Sequence, residues 1–250
     1  GILAAIGAVA EAGKSQGNNK IIVARNCHKS VYNGIKLFGL EPIYLQPEYI
    51  DLEEGYKSYI YDGITAPQIK ALLEQHHGIS AVVITSPTYE GIVSDVAESK
   101  MVLEPYNIPL IVDEAHGAHL PFMDGVGQLP RSAVSLGADI VVQSLHKTLP
   151  ALTQTAVVHI NNESFDAGVR KYLSVFMSSS PSYPMLCSME QAVVGSWEKK
   201  QQDGYKEYLK TLRGFRENIS KLKNIKLFEG LKSSSGLYAV SYTHLTLPTS

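Results

Sequence analysis

Three short apolar runs decide the fold of this 250-residue chain: AVVIT at 81–85, PLIVD at 109–113 and DIVVQ at 139–143. The runs are rich in Val and Ile and lack the alternation of apolar and polar residues that is typical of a half-exposed strand. Each run therefore predicts a strand that is buried on both faces. Amphipathic helical patterns lie before and between the runs, among them 66–76 and 95–106. Strands that alternate with helices predict a mainly parallel sheet with helices on both sides.

Weaker patterns extend this arrangement toward both ends of the chain. They predict strands at 21–24, 42–45 and 155–160, and helices at 31–38, 132–136, 163–172 and 185–222. The strand at 155–160 follows its predecessor too closely for a crossover helix, which predicts one antiparallel strand. The Ser/Pro-rich segment 178–184 predicts a loop, and Gly204 predicts a break within the last helical pattern.

The composition excludes several classes of protein. Hydrophobic residues make up 44% and charged residues 18% of the chain, which excludes disorder and collagen-like repeats. The formal net charge is −2, so no basic surplus favours nucleic acid or anionic lipid as a partner. No apolar run approaches the ~20 residues that a membrane-spanning helix needs. Two cysteines, Cys27 and Cys187, are too few for a disulfide framework and predict a reducing, cytoplasmic location.

The two ends of the chain predict an incomplete domain organisation. We expect a large domain over 1–226, truncated at its N-terminus because the sequence starts inside a helical pattern. A strand predicted at 225–228 leads into 227–250, where we expect the start of a smaller, truncated C-terminal domain. The segment SYTHLTLPTS at 241–250 has no Asp, Glu, Lys or Arg and no assignable period. We interpret it as foreign sequence.

Three polar clusters follow predicted strands: RNCHKS at 25–30, DEAHGAH at 113–119 and SLHKT at 144–148. The carboxyl ends of parallel strands meet at one edge of a sheet, and ligands of open α/β sheets bind there. The sequence therefore predicts that a carboxylate, several imidazoles and a lysine lie at the same edge of the sheet.

Asp113 allows more than one interpretation. An ionised carboxylate at the end of an apolar strand is costly unless a cation faces it, and a helix N-cap at this position is the common structural role. Asp113, His116 and His119 also form a D-x-x-H-x-x-H pattern. A metal site of that kind would need a further ligand, which the sequence does not identify. We keep it as a minor alternative and predict no metal.

Lys147 stands among apolar residues, including Leu145 and Leu149. This setting predicts that the lysine is partly buried, and a desolvated amine is the nucleophile that forms a Schiff base. The neighbouring Ser144 and His146 offer hydrogen-bond donors suited to a phosphate group.

The segment SLHKTLPALTQTA at 144–156 resembles the pyridoxal phosphate attachment site of the Orn/Lys/Arg decarboxylase family, which has the form S-x-H-K followed by small and polar residues. RNCHKS at 25–30, SPTYEG at 86–91 and VDEAHGAH at 112–119 agree with the family in order and approximate spacing. The resemblance extends from residue 1 to about residue 230 and is closest to the shorter, Gram-positive-like bacterial members. It implies an α/β fold of type I, the aspartate aminotransferase-like large domain with a mixed, mostly parallel sheet.

The resemblance also implies roles for individual residues. Lys147 would carry pyridoxal 5'-phosphate as a Schiff base, and Asp113 would pair with the pyridine nitrogen. His28 would stack on the ring of the cofactor, and His116 would lie beside it. Lys147, Asp113 and His28 form the expected catalytic set.

Ser144 and His146 would bind the phosphate of the cofactor. The implied reaction is decarboxylation of arginine, lysine or ornithine to the amine and CO2, in amino acid metabolism and polyamine biosynthesis. The resemblance further implies a homodimer or higher homo-oligomer. An aminotransferase, an aldolase-like enzyme of the same fold type, or a non-catalytic relative that binds the cofactor stay open as alternatives.

Overall fold

The structure is a computed structural model that describes residues 1–53, 56–124, 126 and 129–222. The strand predicted at 225–228 and the domain start predicted at 227–250 lie outside the described residues. Within the described ranges, no helix combines the length and the apolar character needed to cross a membrane.

A six-stranded sheet forms the centre of the fold. Together with a separate two-stranded sheet it comprises β1 (Lys20–Ala24), β2 (Glu41–Leu45), β3 (Tyr49–Glu53), β4 (Tyr56–Tyr61), β5 (Ile79–Thr85), β6 (Leu110–Asp113), β7 (Ile140–Ser144) and β8 (Ala156–Ile160). The large sheet has the order β2-β1-β5-β6-β7-β8. All neighbours in it are parallel except β7 and β8. The predicted mixed, mostly parallel sheet and its antiparallel strand are confirmed.

Helices connect and cover these strands. They are α1 (Ile2–Ser15), α2 (Lys29–Phe38), α3 (Ala66–Gln75), α4 (Val96–Leu103), α5 (Leu120–Met123), α6 (Leu145–Thr148), α7 (Asp166–Phe176), α8 (Tyr183–Gln201) and α9 (Gly204–Ile219). The break between α8 and α9 falls where Gly204 predicts it.

The large sheet separates two apolar cores. Along β1, Ile21 packs into a core with α1, α2 and α7, whereas Ile22 packs into a core with α3 and α4. Successive side chains of a strand point to opposite faces, so both faces of β1 are buried. Burial on both faces is the reason that the central strands are continuous Val/Ile runs.

Two parts of the fold differ from the sequence-based prediction. The segment 132–136 is a turn and not a regular helix, because Gly137 follows it with φ of +84° and ends the helical path. The hairpin of β3 and β4 was not predicted. Its ends are joined by stacked rings of Tyr49 and Tyr61, whose centroids are 4.5 Å apart.

Candidate active site

The carboxyl ends of the parallel strands bring the three predicted clusters to one edge of the sheet. Asp113 is the last residue of β6 and Ser144 is the last residue of the neighbouring β7, while His28 follows β1. The chain leaves β1 toward β2 on one side and returns to β5 on the other. The edge therefore includes a topological switch point, where open α/β sheets bind ligands.

Asp113 is buried, with 5% of its surface exposed. Burial raises the pKa of this carboxyl group, while Lys147 and His28 act in the opposite direction through their charge. Its Oδ1 accepts a hydrogen bond from the backbone N–H of Ala115 at 3.3 Å. The residues that follow form turns and α5 begins only at Leu120, so Asp113 is not a helix cap. It is a buried acid beside cationic groups.

Lys147 extends toward the turn that follows β6. Its Nζ lies 3.1 Å from Nε2 of His116, and the ring of His116 meets the edge of Tyr89 with centroids 5.5 Å apart. The prediction that Lys147 is partly buried is wrong, because its side chain is exposed. Leu145, the first residue of α6, and Leu149, which directly follows α6, are both buried. The apolar neighbours of Lys147 are therefore buried, whereas the lysine itself is exposed.

His28 and the two predicted phosphate ligands are held by local contacts. Nδ1 of His28 accepts a hydrogen bond from the backbone N–H of Ser30 at 3.3 Å and thereby caps α2. Nδ1 of His146 donates to the carbonyl oxygen of Thr155 at 2.9 Å, which leaves Nε2 for a ligand. Ser144 is half-buried and pairs with Ala156 across β7 and β8.

A cavity of about 580 Å³ adjoins Lys147 on the side of α8 and α9, with Lys199, Tyr205 and Tyr208 in its wall. His119 also lines this cavity and is buried, and burial lowers its pKa to about 4. In the described part of the chain, no group of three His, Cys, Asp or Glu side chains is arranged to hold a metal ion. The alternative D-x-x-H-x-x-H metal site is therefore not formed.

Glu114 is 1% exposed, and the sequence patterns predict no role for it. Its carboxylate accepts hydrogen bonds from the hydroxyl of Ser132 at 2.7 Å, the backbone N–H of Ala133 at 2.6 Å and Nε2 of Gln143 at 2.5 Å. The sequence does contain one signal for Glu114, which is a second acidic residue directly after a predicted buried strand. A carboxylate buried at that position requires several hydrogen-bond donors around it.

The mixed, mostly parallel sheet and its flanking helices form the type I fold, which the chain shares with solved structures. Among solved structures, the lysine decarboxylase LdcF of Francisella novicida superposes with a TM-score of 0.64 at 24% identity, covering 92% of this chain and 32% of that one. The sphingosine-1-phosphate lyase of Burkholderia pseudomallei gives a TM-score of 0.61 at 16% identity, covering 87% of this chain and 49% of that one. At these identities the likeness shows the fold alone.

The sequence profile of the Orn/Lys/Arg decarboxylase major domain matches residues 1–235, and the chain belongs to this family. It is 43% identical over 195 residues to protein YaaO of Bacillus subtilis, covering 77% of this chain and 38% of YaaO. It is 37% identical over 175 residues to an arginine decarboxylase of Bacillus cereus, covering 70% of this chain and 36% of that protein. The chain thus spans less than two fifths of the length of these relatives. The family resemblance stated from the sequence motifs is confirmed.

Proposed function

We propose that the protein decarboxylates a basic amino acid, namely arginine, lysine or ornithine, with pyridoxal 5'-phosphate as cofactor. The observation that carries the proposal is the 3.1 Å contact between Lys147 and His116 beside the buried carboxyl group of Asp113. Family membership and the similarity to the arginine decarboxylase of Bacillus cereus support the reaction class.

The side chains at this edge of the sheet match the chemical groups of the cofactor. Lys147 offers an amine for the aldehyde, and Asp113 offers a buried anion for the ring nitrogen. Ser144 and His146 offer a hydroxyl and an imidazole for the phosphate, and His28 would flank the ring. When bound, the cofactor supplies a ring that accepts the electron pair left as the bond from Cα to the carboxylate breaks.

His116 and Asp113 control protons in this proposal. Nε2 of His116 accepts a hydrogen bond from the Lys147 ammonium group and can take its proton, which leaves the neutral amine needed for nucleophilic attack. The ring of Tyr89 packs against His116 and limits its rotation. The carboxylate of Asp113 is buried, and in this low dielectric it would interact strongly with a protonated ring nitrogen of the cofactor. It would therefore keep a ring nitrogen protonated.

A homodimer or higher homo-oligomer is part of the proposal. Large apolar side chains on and beside α7, α8 and α9 are exposed: Val175, Phe176, Met177, Tyr183, Leu186, Val194, Trp197 and Phe215. Apolar surface of this extent favours association. Light scattering of the purified protein tests this, and a monomer at micromolar concentration would contradict it. The free thiols of Cys27 and Cys187 support the cytoplasmic location that we also propose.

The reaction is tested with protein expressed from its complete gene and supplied with pyridoxal 5'-phosphate. Arginine, lysine and ornithine are given separately, and CO2 and the matching amine are measured. We expect one of the three to be turned over and the Lys147→Ala variant to be inactive. A keto acid in place of CO2 would indicate an aminotransferase. Cofactor binding without turnover of any of the three would indicate a non-catalytic relative.

A further inference from the structure

A buried polar network lies directly behind the candidate site. Glu114 accepts hydrogen bonds from Ser132, Ala133 and Gln143. Oε1 of Gln143 in turn accepts a hydrogen bond from Nε2 of His159 at 2.9 Å. The network therefore joins the end of β6 to β7, β8 and the turn at 132–136.

Glu114 anchors the chain at the point where it leaves the sheet. Its backbone N–H donates to the carbonyl of Val142 at 2.9 Å, and the carbonyl of Asp113 accepts from the N–H of Ser86 at 3.1 Å. Within the described residues, the side chain of Asp113 accepts one hydrogen bond, from the backbone N–H of Ala115 at 3.3 Å. The contacts of Glu114 therefore add a restraint next to Asp113, which is itself paired with Thr85 and Val142 in the sheet.

The turn that carries His116 is folded over the side chain of Glu114. The N–H of Gly117 donates to the carbonyl of Glu114 at 2.9 Å. A Cβ atom at position 117 would lie 2.5 Å from Cγ of Glu114 and 2.9 Å from Cδ of Pro87. The turn can adopt this path only because residue 117 is a glycine, so the side chain of Glu114 determines how closely the turn approaches the sheet.

Three hydrogen-bond donors face the side chain at position 114, so this side chain must offer acceptors and no donor of its own. A carboxylate has two oxygens and no donor, whereas the amide of glutamine has one oxygen and an NH2 group. In a Glu114→Gln variant, that NH2 group would face the NH2 group of Gln143 or the N–H of Ala133. One buried donor would lose its acceptor, and the turn would move to relieve the mismatch.

We propose that Glu114 is the positioning residue of this site, which holds Asp113 and His116 in the geometry that receives the cofactor. Glu114 acts through its neighbours and does not touch the cofactor. The inference rests on the proposed function, because it takes the cofactor to be bound by Asp113, His116 and Lys147.

The test compares apo protein from the complete gene with four variants at about pH 8, above the pKa of about 7 of Glu114, so that this side chain is a carboxylate. Each protein is titrated with pyridoxal 5'-phosphate. The readouts are the Kd of the cofactor, its visible circular dichroism and thermal unfolding. For Glu114→Gln we expect a Kd about tenfold higher and a changed dichroic band, as one lost buried hydrogen bond gives. In the swap variant Glu114→Gln/Gln143→Glu, the NH2 group of residue 114 can donate to the new carboxylate of residue 143. That carboxylate still accepts the hydrogen bond from His159. We expect it to recover most of the affinity and the dichroic band.

A matched control lies at the opposite edge of the sheet. Asp139 is also buried and accepts hydrogen bonds from Leu110 and Asn162, and it pairs with Lys100. Asp139→Asn should lower the unfolding temperature without changing the Kd or the dichroic band. Ser132→Ala removes one of the three donors to Glu114, and we expect it to fold and to raise the Kd about threefold.

Several outcomes would overturn the inference. One is a Glu114→Gln variant that is less stable but binds the cofactor with unchanged Kd and dichroism, because Glu114 would then be only structural. If Glu114→Gln does not fold, an unchanged Kd in Ser132→Ala has the same meaning. Absence of any cofactor signal from the unsubstituted protein is a separate result, which would overturn the proposed function and this inference with it.

Discussion

The side chains of Lys147 and His116 lie 31 positions apart in the chain, and their Nζ and Nε2 atoms are 3.1 Å apart in the structure. A charged amine only donates, so Nε2 of the imidazole must be the acceptor, and its proton lies on Nδ1. The contact joins the end of β7 to the turn after β6, next to the buried Asp113. The contact gives the exposed lysine an imidazole as its hydrogen-bond partner.

Replacing Lys147 by alanine should abolish covalent attachment of pyridoxal 5'-phosphate. The fold should stay intact, because the side chain is exposed and exposed substitutions change the free energy of unfolding by about 0.5 kcal/mol or less. Borohydride reduction followed by mass spectrometry measures the attachment, and thermal unfolding measures the stability. A reducible link that persists in the variant would exclude Lys147 as the attachment point.

Replacing Asp113 by asparagine should keep the attachment but reduce turnover by at least about 100-fold, which corresponds to ~3 kcal/mol of lost transition-state stabilisation. The reason is that an amide has no charge to hold a proton on the ring nitrogen. Steady-state release of CO2 measures the effect, and the absorbance of the bound cofactor checks that binding persists. Turnover near that of the unsubstituted protein would limit Asp113 to holding the turn through Ala115.

The stability of the apo protein should depend on His119 in the acidic range. Burial lowers the pKa of His119 to about 4 from 6.5, so the unfolded chain binds a proton that the folded chain does not. The stabilising contribution is therefore present above pH 6.5 and is lost as the pH falls through about 4. It amounts to the order of 3 kcal/mol. Denaturant unfolding of His119→Gln should lack this loss, and an equal acid sensitivity in both proteins would contradict it.

Glu114 should produce the opposite dependence on pH. Burial, the largest effect, raises its pKa to about 7 from 4.5, and nearby Asp124 acts in the same direction. The folded chain then retains a proton that the unfolded chain has lost. The contribution is complete below pH 4.5 and is lost as the pH rises through about 7. Relative to the unsubstituted protein, Glu114→Gln should gain stability over this range, by the order of 3 kcal/mol. A constant difference in the free energy of unfolding from pH 4 to 8 would contradict this expectation.

The main strands could be predicted because their information is local. A run such as VVI at 82–84 is continuously apolar, and all three residues are fully buried in the central strand β5. The sequence does not predict the hairpin of β3 and β4, because its short strands carry polar and aromatic residues without a continuous apolar run. The sequence pattern predicts a helix at 132–136 where the structure has a turn, because the pattern does not show that Gly137 adopts a positive φ.

The sequence by itself determined the α/β fold, the edge of the sheet at which Asp113, His116 and Lys147 gather, and the family. Periodicity and strand-end position depend on residues that are close together in the chain, and the family motifs are short. Only the tertiary structure decided that Lys147 is exposed, that it meets His116, and that Glu114 is held by donors from β7 and the turn at 132–136. These contacts join residues 18 to 31 positions apart, and their geometry is set by how the strands and turns pack.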